Sequence, residues 1–203
     1  VAVFLFSDYG YNQVTLKDIA KECGIRAASI YNHYESKAEI LREIYALFDN
    51  VRSKVEPSLS ELLKEAETAD PISVIQKAFF YYDPDYQAIM DRIVLIAACE
   101  QRTDEMSRDI INKRFIDLPR TYLLPLLNRL IELERIEAFD VEAYVILMEN
   151  FCYGAALRNF SGNSVTLENW NRANALLETF IHSRVHADKE ACMTKRENRP
   201  SSC

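Results

Sequence analysis

Arg26, Ala27, Ala28 and Ser29 are followed at once by Tyr31, Asn32 and His33, and a little further on by Lys37. Small side chains let a backbone come close to a crowded surface, and the longer neighbours carry hydrogen-bonding or cationic tips. The combination suits a helix laid into a duplex groove. Ala27, Ala28 and Ser29 would approach base edges, while Tyr31, His33 and Lys37 reach phosphates.

The elements that must position such a helix stand on either side of it. Thr15 and Asp18 fit a capping box, in which the hydroxyl answers an open backbone N–H and the acid returns the bond. Leu16, Ile19, Ala20 and Cys23 then make one apolar face of a short helix. Gly24 stands where that helix must stop, at a position that calls for positive φ. Ile25 is expected to tuck under the turn. A second helix is expected from Ala27 to Tyr34, with Ile30 and Tyr34 inward and Ala27, Ala28, Ser29, Asn32 and His33 outward. Ser36 and Glu39 repeat the capping box and start a third helix at Lys37. Thr15, Arg26, Ala27, Ala28, Ser29, Tyr31, Asn32, His33 and Lys37 are therefore the candidate DNA contacts. The plainer alternative is a compact three-helix bundle, which could carry the same caps and glycine turn.

The runs LFSDYGYNQVTLKDIAKECGI and SIYNHYESKAEIL resemble the N-terminal domain of the tetracycline-repressor-like (TetR) family of bacterial regulators. They match its aromatic-rich first helix, its G-Y/F-x-x-(V/T)-T element, D-I-A, G-(V/I) and Y-x-(H/Y)-(F/Y)-x-(S/N)-K-x-x-L. The likeness covers roughly residues 1–48. Two departures stand out. Arg26 replaces the Ser or Thr that usually opens the reading helix, which removes a capping hydroxyl worth ~1 kcal/mol and offers a guanidinium to phosphate or a base edge instead. The chain also begins at Val1 inside the first helix, so a preceding segment is expected.

The resemblance implies an all-α fold: a three-helix helix-turn-helix DNA-binding domain (1–48), a larger helical effector-binding and dimerisation domain (49–187) and a polar tail (188–203). It also implies a sequence-specific transcriptional regulator, a repressor released from its operator by a small molecule that shifts the spacing of two reading heads. A homodimer would address two half-sites of a near-palindromic double-stranded operator. An architectural or protein-recruiting DNA binder of the same fold is the alternative. A helical enzyme with a DNA-binding head is a third reading. No nucleophile elbow, phosphate-cradling glycine loop or metalloprotease helix is present, so no catalysis is assigned, and no cofactor is called for.

Composition agrees with local, shape-directed binding. The chain of 203 residues has a net charge of −7, yet residues 1–54 hold seven basic and seven acidic side chains. The remaining 17 basic and 24 acidic residues carry the whole excess, which would help hold that part away from DNA. Five scattered cysteines without a CxxC pair argue against a disulfide framework and for a reducing cytoplasm. Cys99 or Cys152 as a redox sensor is less natural than a buried, inert thiol. No apolar run approaches a membrane span.

Beyond the head, helices are expected near 37–54, 57–68, 71–81 and 84–101. A long segment over 104–135 should be kinked or split by Pro119 and Pro125. Two last helices, near 141–160 and 167–187, follow. Tyr144, Met148, Phe151 and Ala155 on the first and Trp170, Ala173, Leu177, Phe180 and Ile181 on the second are the candidate dimer stripes. Both could equally face the core of their own chain. Phe79, Tyr82, Tyr86, Phe115, Tyr122 and Phe151 are candidate walls for a mostly apolar effector, or plain core. His182 and His186 have a metal-compatible spacing, but no third ligand is near except Cys192, so no metal is assigned.

Overall fold

The computed structural model describes residues 1–79, 84–160, 172, 175–176 and 179–185, and for 55, 79, 84–87 and 159–160 the backbone alone. Its elements are helices throughout. α1 (Ala2–Tyr9) leads through a single tight turn at Tyr11–Gln13 to α2 (Leu16–Glu22), α3 (Ala27–Tyr31) and α4 (Lys37–Val55). α5 (Leu59–Glu65), α6 (Pro71–Phe79), α7 (Pro84–Glu100), α8 (Glu105–Asn112), α9 (Leu118–Glu132) and α10 (Val141–Phe160) form the body. Among the described residues the sole extended pairing is a bridge between Ile136 and Val185, where the Glu137 amide donates to the Arg184 carbonyl. No described helix is long and apolar enough to cross a membrane.

The capping logic read from the sequence operates in the head. Thr15 and Asp18 complete the reciprocal box at the start of α2. Ser36 accepts from the Glu39 amide at the start of α4. At the end of α2 Gly24 takes φ 67°. Its amide donates to the Lys21 carbonyl and the Ile25 amide to the Ala20 carbonyl, which closes a Schellman turn.

Ile25 does not tuck under this turn. It is 46% exposed, because the turn is already closed by backbone bonds and the underlying space is filled by Ile19, Ala20 and Ile30. α3 is also shorter than expected, ending at Tyr31. Tyr34 is only half-buried and packs on the core from the connecting segment.

Lys37 corrects a second expectation. Its ammonium is not a free arm for phosphate: it donates to the Tyr11 carbonyl at 2.6 Å and the Val14 carbonyl at 2.9 Å. It also lies 4.3 Å from the centre of the Tyr11 ring. One side chain thus ties the α1–α2 connection to the first turn of α4.

α4 runs straight through the boundary expected at residue 48. One apolar cluster joins Val3, Phe6, Ile19, Ile30 and Ile44 of the head to Ile93, Ala97, Ile110 and Phe115 of the body. A second gathers Leu62, Ile75, Leu123, Leu126, Leu127, Val145 and Met148.

The segment expected to kink or split at its prolines stays helical and widens once. A wide π-type turn over Lys113–Asp117 separates α8 from α9, just before Pro119 in the first turn of α9. Pro125 is carried inside α9 without ending it.

Exchanging Lys37 for alanine leaves two backbone carbonyls without their charged donor, at a cost of about 2 kcal/mol. The Lys37→Ala chain is expected to unfold at lower denaturant concentration than the native one. An unchanged midpoint together with a weaker salt dependence of DNA binding would return Lys37 to the phosphate role.

Candidate nucleic-acid interface

α3 is too short to be stable alone, and Arg26 at its N-cap makes no side-chain capping bond. Its position comes from Ile30, which is buried against the head core, and from the Gly24 turn before it. This anchoring sorts the candidate contacts. Ala28, Tyr31, Asn32, His33 and Arg26 are exposed, Ala27 and Ser29 are half-buried. Thr15 is exposed but occupied, its hydroxyl donating to Asp18 at 2.6 Å while its backbone amide donates to the same carboxylate at 2.8 Å. These two bonds hold the Asp18 carboxyl below its ordinary range. The structure therefore leaves Arg26, Ala28, Tyr31, Asn32 and His33 open, while Lys37 serves the head's interior.

Polar joints between side chains distant in the sequence link this head to the body. The Arg92 guanidinium on α7 reaches Ser7 at 2.7 Å and pairs with Asp8 on α1; it also lies over the Phe4 ring. On α8, Ser107 is fully buried. Its hydroxyl donates to Asp104 at 2.6 Å, so the Tyr45 hydroxyl, 2.6 Å away, must donate to Ser107. Burial pushes the Tyr45 phenol well above its usual value. Lys113 meets Asp49 at 2.9 Å. Partners such as Arg92 and Asp8 are too far apart in the chain to leave a local pattern; only the cap of Asp104 on the Ser107 amide is legible as D-x-x-S.

The effector candidates divide. Tyr82 and the side chains of Phe79 and Tyr86 lie outside the described residues. Phe115 is buried in the first apolar cluster, edge-on to Tyr153 at 5.3 Å. Tyr122 is buried in the second cluster and donates to Glu56 at 3.3 Å. Phe151 is half-buried and, by helical spacing, shares a face of α10 with Leu147 and Gly154 instead. Glu56 was not foreseen: it sits at the end of α4 between Arg52 at 3.4 Å and Tyr122. Desolvation raises its carboxyl above the ordinary value despite Arg52. Burial likewise pushes the half-buried Cys152 thiol up to about 11, which suppresses the thiolate that redox chemistry needs; Cys99, expected to be buried, is exposed.

The candidate dimer stripes require correction. Tyr144, Met148, Ala155 and Ile181 are buried inside their own chain, and Phe180 stacks on Tyr144 at 5.5 Å. Trp170, Ala173 and Leu177 lie outside the described residues, as do His186 and the expected tail; His182 is exposed. α10 is apolar around most of its circumference, so periodicity could not tell which side the body covers. The open side carries Ala143, Ile146, Leu147, Asn150, Phe151, Gly154 and Leu157.

The family described as bacterial regulatory proteins, tetR family, matches residues 1–44. Over these residues the chain is similar to that family. Over 42 residues the chain is 50% identical to the biofilm operon icaADBC HTH-type negative transcriptional regulator IcaR of Staphylococcus epidermidis, a match covering 21% of this chain and 23% of IcaR. Over 130 residues it is 25% identical to the probable acrEF/envCD operon repressor of Escherichia coli (strain K12), covering 59% and 54%. The chain thus spans about half or less of these relatives' lengths.

The tetR likeness extends to fold. KstR2, the ketosteroid transcriptional regulator of Mycobacterium tuberculosis, aligns over 92% of both chains with a TM-score of 0.62 at 20% identity. A putative transcriptional regulator from Saccharomonospora viridis, solved in complex with choline, aligns over 92% of this chain and 94% of its own, with a TM-score of 0.58 at 20% identity.

Because the folded chain holds the Glu56 proton more tightly than the unfolded chain, stability from this group is full below the ordinary glutamate value. It is lost as the pH rises through the raised one. Glu56→Gln is expected to flatten that fall in denaturation midpoint; an unaltered pH profile would show that Glu56 is ordinary in the folded chain.

Proposed function

We propose that this chain is a sequence-specific DNA-binding transcriptional regulator, a repressor, that works as a homodimer and leaves its operator when a small molecule binds the body. Residues 1–48 are the reading head and 49–187 the effector and dimer part. The observation that carries the reading is the α2–Gly24–α3 unit. Its inner side is locked by a capping box, a Schellman turn and Ile30, and its outer side presents Ala28, Tyr31, Asn32 and His33. A surface held that firmly by the residues beneath it can meet a groove without reshaping. The fit of residues 1–44 to the tetR family supports the same conclusion, as do relatives named as repressors. Nothing in these comparisons indicates an enzyme family, and we assign no catalysis.

Dimerisation is supported by the open side of α10. Leu147 is 63% exposed, Ile146 and Leu157 each 43%, and Gly154 has open space where a side chain would stand. Apolar side chains on one helical face, with a glycine permitting close approach, suit a second copy of the same helix. The effector reading rests on Phe115 in the first apolar cluster and on Tyr122 in the second, where it donates to the partly desolvated Glu56. A fold neighbour holding choline supports a small-molecule role for such a body.

Two variants test the reading. Leu147→Glu is expected to sediment as a monomer at micromolar concentration and to lose at least tenfold in operator affinity while keeping its helical spectrum. Ala28→Trp is expected to remain a folded dimer that no longer binds its operator. A native chain that sediments as a monomer, or an Ala28→Trp dimer that binds DNA normally, contradicts the proposal.

A further inference from the structure

Which bases the head reads can be argued from the side chains that α3 leaves open. Taking the duplex-binding reading above as given, only some of the candidate contacts can touch base edges. Ile30 is committed to the core, and Ala27 and Ser29 are half-covered. Ala28, Tyr31 and Asn32 are exposed and stand at helical spacings of three and four, so they share one face. Asn32 closes the helix at its C-cap. Its carboxamide has no hydrogen-bond partner among the described residues. The same holds for the Tyr31 hydroxyl, and Tyr31 is 55% exposed.

The chemistry of that face is selective. A carboxamide offers a donor and an acceptor side by side, which matches adenine N7 and N6 in the major groove. A methyl at Ala28 suits the thymine C5-methyl. Guanine is most often read by a bidentate Arg or Lys, and this face has neither. Arg26 precedes α3 in extended conformation, two positions before Ala28 and off the shared face. Lys37 is bound to the Tyr11 and Val14 carbonyls.

We infer that the face of Ala28, Tyr31 and Asn32 reads adenine·thymine pairs, with the Asn32 carboxamide on adenine and the Ala28 methyl against thymine. Four residues of helix separate these two groups by ~6 Å, so the two contacted pairs lie within about two base steps of each other. Arg26 then lies beside this face, toward the backbone, and adds affinity without choosing a base.

Selection of random-sequence duplexes by the full chain tests this. The expected half-site has A·T pairs at the two contacted positions. Asn32→Ala should lose about tenfold or more of the preference at one of them. Replacing the contacted thymine by uracil removes one methyl and should weaken native binding about fourfold. Half-sites with G·C at those positions overturn the inference, as does an unchanged preference in Asn32→Ala together with undiminished affinity for the uracil duplex. Failure of any sequence to be enriched would instead remove the duplex-reading proposal, and this inference with it.

Discussion

A five-residue helix without a capping side chain cannot hold its own shape in water, so everything about α3 depends on what holds it. Three devices do so. Ile30 anchors it from below, Gly24 fixes the direction in which the chain enters it, and Lys37 binds the α1–α2 connection to the first turn of α4, just beyond it. The Lys37 contact spans more than twenty residues of sequence and replaces two solvent bonds by two charged ones in a partly buried place. The outer surface of α3 is held by these supports, and this leaves its outer side chains without structural duties.

The same economy of support extends into the body. α7 meets α1 through Arg92 and Asp8, while α8 meets α4 through the Tyr45–Ser107–Asp104 chain and the Lys113–Asp49 pair. The apolar cluster beneath these joints runs without a break from Val3 to Phe115. A displacement of α7 or α8 would therefore be felt by the head through both packing and hydrogen bonds. Glu56 caps the far end of α4 and accepts from Tyr122 of α9, a member of the second cluster.

The local parts of this arrangement were legible in the sequence because their causes are local. Thr15 with Asp18, Gly24, and Ser36 with Glu39 act over three or four residues; the first two formed as read, while of the second capping box only the Ser36 half formed, the Glu39 carboxylate accepting from the Glu35 amide instead. Helix positions in the body followed from prolines and apolar spacing, including the irregular turn before Pro119. What could not be read depended on partners distant in the chain. Lys37 has the spacing of a phosphate contact, and only the folded head shows its amine turned to two carbonyls. The stripe of Tyr144, Met148 and Ala155 is apolar like the opposite stripe of Ile146, Leu147 and Leu157, and burial alone decides which is core. Arg92 carries no local signature, and Glu56 shows only its helical spacing from Arg52.

The central claim is that α3 lies in a duplex groove as one of a symmetric pair. Hydroxyl-radical footprinting of the native chain on a selected duplex examines it most directly. Two protected patches on one face of the duplex, separated by about one helical turn of ~34 Å or a multiple of it, are the expected result. A single unpaired patch, or protection spread evenly along the duplex, would contradict it.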